Sequence, residues 1–395
     1  MSVQESARSE ELLTDAQYDA DGVLVVEEDA DDNYYYAGQW TLIWWRFRRH
    51  KLALISTILL IILYIVAIFP EFFGPYAANR RFAEQDYQKA PPIAVHIFGE
   101  NGLERPYYYG FERTLNQETF KYEFAANEEI KYPIEFFVKG DSYKVWGLWE
   151  TDRHLFGSSQ VDAPPLMLFG ADDLGRDLFS RILVGARISL SVGLVGVLLA
   201  FLLGITLGGI SGYIGGIADE IIQRIIDFLL SIPTIPLWMA LTAALPRDWS
   251  IIKTYFAITI ILAVVGWTGL ARVVRGKLLQ LREEDYALAA KAAGTSESRI
   301  IFRHLLPGFT SHLIVHITVA IPQMILGETA LSFLGLGMQP PAVSWGVLLE
   351  DARDFVAIAH QPWQLIPVLF VIVTVLLFNF VGDGLRDAAD PYANA

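Results

Sequence analysis

Residues 52–69 read LALISTILLIILYIVAIF, an apolar run that lies between the charged residues Lys51 and Glu71. A helix of this length rises about 27 Å, close to the roughly 30 Å hydrocarbon core of a bilayer. Five further apolar runs follow it, and among them only the run at 313–349 contains a charge, Glu328. They cover 188–218, 228–246, 254–271, 313–349 and 361–382. Because backbone groups in lipid must be satisfied within their own segment, we predict six transmembrane helices and an all-α polytopic membrane protein. The alternative, a large soluble helical protein, would have to bury all of these runs in one core.

The 395-residue chain is 53% hydrophobic and has a formal net charge of −14. Most of that charge lies in residues 1–36, which hold eleven acidic residues and the single base Arg8. A segment with so little to bury is predicted to be a disordered, solvated cytoplasmic tail, and a partner-binding tail is the alternative. The chain has no cysteine, so disulfides and thiolate metal sites are excluded.

The basic residues indicate the orientation. Arg46, Arg48, Arg49 and Lys51 precede the first run, and seven further bases fall in the loop at 272–312. Short basic loops stay in the cytoplasm, so we predict cytoplasmic N- and C-termini and a cytoplasmic 272–312 loop. The predicted divisions are a tail, an amphipathic entry with the first helix, an extracytoplasmic loop with a cap, and a core of five helices. Their bounds are 1–36, 37–75, 76–185 and 186–395.

The long loop between the first two runs is too long to be unstructured, and its middle, at 93–160, is rich in aromatic residues. Residues 132–149, YPIEFFVKGDSYKVWGLW, contain two β-prone stretches around Lys139-Gly140-Asp141-Ser142, which predicts a hairpin turn there. We therefore predict a small β-containing cap outside the membrane. Its aromatic residues are assigned to the cap's core, with a sugar-stacking surface as the alternative.

Two features of the runs predict local geometry. Gly204, Gly208, Gly212 and Gly216 recur every four residues, a spacing that lets helix backbones approach closely. Pro233 and Pro236 predict a kink in the third span.

Residues 284–307 read EDYALAAKAAGTSESRIIFRHLLP and predict two short helices. The first would end at Gly294, which tolerates positive φ. Ser296 would cap the second helix, and Pro307 would end it. The alanines at 289, 290, 292 and 293 would form a small, smooth surface against which a soluble partner could press.

This segment resembles the EAA loop of ABC importer permeases, which docks into a groove on the ATPase. In that family the pattern is Glu-Ala-Ala, three residues, Gly, and Leu-Pro about a dozen residues later. Leu288 stands at the family's Glu position and His304 at its usual Ile position. The candidate coupling residues are Tyr286, Ala289, Ala290, Gly294, Arg303, Leu306 and Pro307.

Further motifs, in the same order, are similar to those of the oligopeptide, dipeptide and nickel permeases, and to the C-type subunit in particular. They include DDLGRD at 172–177, GARISL at 185–190, Asp219-Glu220 with Arg224, SIP at 231–233, ALSFLGLG at 330–337, QPP at 339–341, SWG at 344–346 and GDGLRD at 382–387. The resemblance implies the type I ABC importer permease fold. The 93–160 insert departs from the shorter members.

The resemblance also implies partners. It predicts a second, similar permease that completes the pathway, two ATPase subunits, an extracytoplasmic binding protein and a location in the bacterial inner membrane, with no nucleic acid bound. ATP and Mg²⁺ would belong to the ATPases, and no cofactor is expected in this chain. In agreement, Gly276-Lys277 lacks the upstream glycine of a phosphate-binding loop. Peptides are the favoured substrate, and nickel chelates and oligosaccharides stay open.

Several polar residues outside the loop are candidates for function. Asp172, Asp173, Arg176 and Asp177 are predicted either to contact the binding protein or to fix their loop by local salt bridges. Glu328 and Gln323 are candidate pathway or intramembrane polar residues, with a structural hydrogen bond as the alternative for Glu328. His312 and His316 have metal-ligand spacing, but interfacial polar groups are the preferred interpretation. The rival class is an ion-coupled secondary transporter, which would need ionisable residues near the midplane of several spans. A sensory or structural membrane protein is disfavoured by the EAA-like loop.

Overall fold

The structure is a computed structural model that describes residues 38–82, 87–99, 102–118, 121–160, 162–353 and 355–389, so the predicted acidic tail lies outside it. The helices are α1 Gln39–Arg49, α2 Lys51–Ile68, α3 Pro70–Phe73, α4 Leu178–Tyr213, α5 Gly216–Ser231, α6 Thr234–Ala243, α7 Ile251–Leu281, α8 Asp285–Ala292, α9 Thr310–Phe333, α10 Trp345–Glu350, α11 Phe355–His360 and α12 Ile366–Ala389. The strands are β1 His96–Gly99, β2 Gly102–Asn116, β3 Lys121–Pro133, β4 Glu135–Val145 and β5 Trp149–Gly157.

Five helical runs in the described residues are long and apolar enough to cross a membrane: α2, α4, α7, the run that ends with α9, and the run that contains α12. The pair α5 and α6 is the sixth, but it bends by 90° at its break. The described residues thus contain five candidate spans, or six if the bent pair counts as one, which agrees with the six predicted. Pro233 lies at the break, as predicted. Pro236 lies in the first turn of α6, where its missing N–H costs no intrahelical hydrogen bond.

The second span begins at Leu178, ten residues before the predicted start at 188 and ahead of the predicted domain boundary at 186. The first part of this helix contains two arginines, so it is not part of a charge-free apolar run. Arg181 is buried and paired with Asp172, and Arg187 forms a bidentate ion pair with Glu71 at 2.8 and 2.7 Å. A helix can hold arginines at its end when each has a partner, which a search for charge-free runs cannot detect.

The cap contains two antiparallel sheets, one of β1, β2 and β3 and one of β4 and β5. The predicted turn at Lys139-Gly140-Asp141-Ser142 is wrong. The strand β4 continues through these residues with a register shift, and the chain turns at residues 146–148 instead. Gly140 lies against the ring of His154, where a Cβ would be 2.6 Å from His154 Cδ2, and Asp141 accepts hydrogen bonds from Ala77 N and Arg80 Nη1.

The core of the cap uses only some of the aromatic residues. Tyr87, Tyr107 and Tyr108 are buried, and Tyr108 donates a hydrogen bond to the Pro164 carbonyl at 2.5 Å. In contrast, the β4–β5 hairpin exposes Phe136, Phe137, Trp146 and Trp149. The prediction that the aromatic residues form the core of the cap therefore holds for Tyr107 and Tyr108 of the three-stranded sheet, but it fails for Tyr122 of β3, which is exposed, and for this hairpin.

The helices α4 and α7 pack closely through the predicted glycines. A Cβ at Gly208 would lie 2.6 Å from the Ala271 carbonyl oxygen, and one at Gly212 would lie 2.8 Å from that of Arg275. A Cβ at Gly204 would meet the side chain of Leu270. Gly216, the fourth of the series, instead opens α5 with a φ of +61°. Two of the four glycines thus bring the backbones of α4 and α7 together, and a third makes room for the side chain of Leu270.

Two neighbouring glycines allow a matched test of this packing. Gly208→Ala is expected to destabilise the permease by about 1–3 kcal/mol, because its methyl group would push against the α7 backbone, which cannot rotate away. Gly209→Ala is the control, since a Cβ there meets nothing within 4 Å. Thermal unfolding of the purified protein in detergent would measure the difference. Equal melting temperatures for the two variants would contradict a close α4–α7 contact.

Candidate functional site: the segment between α7 and α9

The segment that joins α7 to α9 begins with the two-turn helix α8, and a glycine follows the end of that helix. Gly294 has a φ of +75°, and its N–H donates to the Lys291 carbonyl at 3.0 Å. The N–H of Thr295 donates to the Ala290 carbonyl at 3.1 Å. This pair of hydrogen bonds is a Schellman motif, which satisfies the last carbonyls of α8 and reverses the chain. The predicted helix stop at Gly294 is confirmed.

Beyond the turn, a second helical stretch begins after Ser296, as predicted, but it is irregular and does not end at Pro307. Ser296 stands at the N-cap position with extended backbone, but its side chain makes no capping hydrogen bond. A helical turn at Glu297–Arg299 leads into a π-helical stretch, Ile300–Leu305, and a 3₁₀ turn, Leu306–Phe309, which runs directly into α9. Pro307 lies in the first turn of the 3₁₀ stretch, where proline is tolerated, so it does not end the helix.

This segment is packed firmly onto the core helices. Ala287, Ile300, Leu305 and Phe309 are buried in one cluster with residues of α7 and with Leu313 of α9. The α7 members of the cluster are Leu270, Val274 and Leu278. The segment and the ends of α7 and α9 therefore share one closely packed hydrophobic core.

The predicted coupling residues separate into two groups. Tyr286, Ala289, Gly294, Arg303 and Pro307 are exposed. Ala290 and Leu306 are partly buried and pack against the cluster described above. The prediction that Ala290 belongs to the outward surface is therefore wrong. Three of the four alanines, at 289, 292 and 293, are exposed, and Ala290 packs against the cluster.

Two exposed apolar side chains on this surface were missed by the sequence analysis. Leu288 is 48% exposed and Phe302 is 63% exposed. Phe302 lies between the buried residues Ile300 and Leu305, and the helical periodicity of these three could have identified it. The outward surface of the segment therefore has small residues together with two larger apolar groups, a composition suited to contact with a protein.

Ion pairs that were also missed fix α5 beside the segment. Arg275 of α7 forms a bidentate ion pair with Asp219 of α5, with both distances 2.6 Å. Ser211 of α4 donates a hydrogen bond to the same carboxylate. Arg282, which follows α7, donates to the Gly212 and Tyr213 carbonyls at the end of α4. These contacts hold α4, α5 and α7 together at the end of the bundle that carries the exposed segment.

The acidic cluster at 172–177 lies at the opposite end of α4 and is largely internal. Asp172 is 2% exposed and accepts hydrogen bonds from the backbone N–H groups of Leu174 and Arg176, both at 2.9 Å. Its other oxygen accepts from Arg176 Nε at 2.7 Å and from the buried Arg181. Of the two predicted roles for Asp172, the structure supports the local salt bridge, and its burial contradicts a direct contact with a binding protein.

The neighbouring acids of the cluster differ from each other. Asp177 is buried and caps α4, because its Oδ2 accepts from Ser180 N at 2.8 Å. Burial raises the pKa of the Asp177 carboxyl to about 6, and this residue too is unsuited to a surface contact. Asp173 is half-exposed and lies 3.4 Å from Lys89 Nζ, so it keeps the accessibility that a contact residue requires.

The two candidate intramembrane polar residues, Glu328 and Gln323, differ in burial. Glu328 is fully buried, accepts hydrogen bonds from Ser189 Oγ at 3.1 Å and Ser332 Oγ at 2.8 Å, and thereby links α9 to α4. Ser189 in turn accepts from Trp345 N at the start of α10. This arrangement supports the structural interpretation of Glu328. Gln323 is exposed on α9 and remains a candidate for the pathway. In the part of the chain that the structure describes, no group of three or more metal-ligating side chains includes His312 or His316.

Comparisons with known proteins agree on one family. Residues 204–393 match the family described as binding-protein-dependent transport system inner membrane component, and residues 38–92 match the N-terminal TM domain of oligopeptide transport permease C. The chain is 42% identical to the oligopeptide transport system permease protein OppC of Bacillus subtilis (strain 168), over 58% of this chain and 74% of that protein. It is 34% identical to the glutathione transport system permease protein GsiD of Shigella dysenteriae serotype 1 (strain Sd197), over 89% of this chain and 90% of that protein.

A solved structure of the MetNI methionine ABC transporter, in an inward-facing conformation, is also similar. It is 19% identical and covers 53% of this chain and 96% of its own. The TM-score of 0.40 is too low to carry an argument about this chain.

Proposed function

Because the chain belongs to the oligopeptide and dipeptide permeases of binding-protein-dependent ABC importers, as a C-type subunit, we propose that it imports peptides delivered by an extracytoplasmic binding protein. Members of this family are multi-pass inner-membrane permeases that work with ATPases and a binding protein. The glutathione permease among the relatives fits the same substrate class, since glutathione is a short peptide. Nickel chelates and oligosaccharides are the competing substrates.

The segment from α8 to the 3₁₀ turn is the observation that carries the proposed mechanism. Its outward surface presents Ala289, Gly294 and Phe302, and its inner side shares a core with α7 and α9. We place two ATPase subunits against such segments, one on this chain and one on its sister permease. Closure of the ATPases on ATP and Mg²⁺ would push the segment, and the shared core would carry that displacement into the spans. Hydrolysis belongs to the ATPases, and this chain would bind no nucleotide.

The second permease is proposed to cover the break between α5 and α6. The backbone leaves the helix at Ile232, and Ser231 and Pro233 are exposed there. Non-helical backbone at membrane depth is tolerated only where protein buries it or where it lines a water-filled cavity. A sister subunit with a pathway between the two chains provides both, and it would also cover the exposed Ile217 and Phe228 of α5. With the segment facing the ATPases, both termini of this chain would be cytoplasmic and the cap extracytoplasmic.

The function is tested by reconstituting both permeases and both ATPases in proteoliposomes with the binding protein. Labelled di- to pentapeptides, glutathione, a nickel chelate and a maltooligosaccharide would be offered in turn. We expect ATP-dependent uptake of peptides alone, and none when the phosphate-loop lysine of the ATPases is replaced. Uptake of the nickel chelate or the oligosaccharide, with no uptake of peptide, would contradict peptides as the substrate and assign that compound instead. Uptake that follows an ion gradient without ATP would support the secondary transporter and contradict the proposal.

A further inference from the structure

The β4–β5 hairpin of the cap carries an apolar tip that the proposed transport cycle does not use. Five large apolar side chains of the hairpin are more than half exposed, one of which is Phe136. We call the other four the hairpin tip: Phe137 at 61%, Trp146 at 57%, Leu148 at 70% and Trp149 at 65%. Three are aromatic. Trp146, Leu148 and Trp149 lie at the turn of a two-stranded sheet, and Phe137 lies further along β4, toward the other end of that strand. A contiguous exposed apolar surface of this kind marks a site of contact with a protein, a ligand or a membrane.

The hairpin tip is fastened to the end of the first span. Trp146 Nε1 donates a hydrogen bond to the Ile68 carbonyl at 3.2 Å, and the Trp146 ring stacks on Phe69 with centroids 5.4 Å apart. The ring of Phe137 lies 6.3 Å from that of Phe72 in α3. Arg187 donates to the same Ile68 carbonyl at 3.2 Å. These contacts fix the height of the tip relative to α2.

That height coincides with the edge of the hydrocarbon core. The span α2 runs from Lys51 to Ile68, and its rise of about 27 Å nearly equals the thickness of the core. With Lys51 at one boundary, Ile68 lies at the other. One face of α2 is apolar and exposed, through Ile61, Ile65 and Ile68, and Ile68 is the residue whose carbonyl accepts the hydrogen bond from Trp146. The hairpin tip therefore continues a lipid-facing surface beyond the end of the helix.

The backbone of the tip is held in an uncommon conformation. Phe137 and Trp146 have φ values of +57° and +51°, which bulky residues rarely adopt. Such residues persist where surrounding contacts over-determine them, and both of these contact the α2–α3 junction. The hairpin is thus held in a geometry that keeps its tip beside the end of the span.

The charges around the tip favour the interface over the hydrocarbon core. Lys144 and Glu150 are opposite each other in the hairpin, next to the turn, and Lys139 is exposed further along β4. These groups oppose deep burial in hydrocarbon but suit the headgroup level. Tryptophan is enriched at that level, since its ring is apolar and its N–H can hydrogen-bond. A soluble binding protein would have to approach in the plane of the lipid headgroups to reach this surface.

We propose that the hairpin tip is a membrane anchor that inserts Phe137, Trp146, Leu148 and Trp149 into the interface of the bilayer leaflet nearest Ile68. The lipid surface, through its headgroup–acyl boundary, is the partner. The anchor would hold the cap at a fixed height and orientation beside the first span. This inference rests on the α2 contacts and not on the identity of the transported substrate.

Because the chain has no cysteine, the anchor can be tested with single cysteines. Leu148→Cys would be labelled with an environment-sensitive fluorophore in the assembled complex, whose other subunits have been freed of cysteine, and placed in nanodiscs. Leu115→Cys is the matched control, because Leu115 is also exposed but lies at the far end of β2 beside the polar Asn116. Quenching by lipids with a spin label near the headgroup is expected to be at least about threefold stronger for the Leu148 probe.

Three results would overturn the anchor. Equal quenching at the two positions would mean that the tip has no special access to lipid, and an absence of quenching at Leu148 would exclude insertion. A Leu148 probe that ignores the lipid quencher but shifts when binding protein is added would assign the tip to a protein contact. Trp149→Cys is a second labelling position, and it is expected to behave like Leu148→Cys.

Discussion

Replacing Ala289 with glutamate is expected to abolish ATP-driven transport while the permease stays folded and paired with its sister subunit. Ala289 is exposed on α8, so the substitution adds no strain within this chain. In the ATPase groove the same carboxylate would be buried without a partner, which costs several kcal/mol. Since each 1.4 kcal/mol is tenfold in affinity, we expect at least about a hundredfold weaker ATPase binding. Co-purification of the ATPases with the permease would measure their binding, and ATP hydrolysis stimulated by loaded binding protein would measure coupling.

The control for this experiment is Ala125→Glu, which adds the same charge to an exposed strand position of the cap. It should leave ATPase binding and uptake unchanged. If the Ala289→Glu complex keeps its ATPases and its stimulated hydrolysis, the segment does not dock as proposed. If transport by this variant continues after ATP is depleted, ion coupling would explain it better than an ABC mechanism.

Ala289 is a sharper choice than the alanine beside it. The sequence pattern makes Ala289 and Ala290 equivalent, since both match the Ala-Ala of the EAA loop. In the structure Ala290 packs against the cluster that holds the segment, and its carbonyl accepts the hydrogen bond from Thr295. A charge at Ala290 would damage the permease itself, so a loss of transport there would not report on docking alone. Which alanine faces outward depends on the rotation of α8, and only the packed structure supplies it.

Dependence on tertiary packing also explains which features of the spans the sequence could predict and which it could not. Apolar runs identify helices by composition, and each of the six runs overlaps a helical span, although the run at 313–349 continues past the end of α9 at Phe333. The start of α4 was missed because Arg181 and Arg187 look like loop residues until their partners, Asp172 and Glu71, are seen. These partners are distant in sequence or lie across a loop. A pattern read along one segment contains no information about the pairing of charges between segments.

The misplaced hairpin turn has a different cause. Lys139-Gly140-Asp141-Ser142 has the composition of a turn, but each of its two most turn-like residues serves a tertiary contact. Gly140 makes room for His154, whose Nδ1 lies 2.6 Å from the Gly74 carbonyl oxygen, and Asp141 binds the chain near Ala77. The same glycine that permits a tight turn also permits close approach of a side chain, and local sequence cannot distinguish the two.

Asp172→Asn is expected to destabilise the permease by about 3–5 kcal/mol. The asparagine keeps an oxygen for the Leu174 and Arg176 amides but removes the negative charge that Arg181 faces. Arg181 is 2% exposed, so its buried guanidinium would lose the carboxylate that hydrogen-bonds it, and Asp351 would be the remaining acidic group that acts on it. Thermal unfolding of the detergent-purified protein, together with the amount inserted in membranes, would report the loss.

Asp173→Asn is the matched control, because it makes the same chemical change one residue along the chain. Its ion pair with Lys89 is exposed on both sides, and such pairs contribute at most about 1 kcal/mol. A double variant tests whether the lost stability comes from the unpaired charge of Arg181. Adding Arg181→Met to Asp172→Asn removes that charge, and it should restore most of the lost stability. If the double variant is no more stable than Asp172→Asn alone, the cost does not come from Arg181. If Asp172→Asn melts like Asp173→Asn yet binds the binding protein more weakly, then Asp172 acts at the surface, and the internal salt bridge is not its main role.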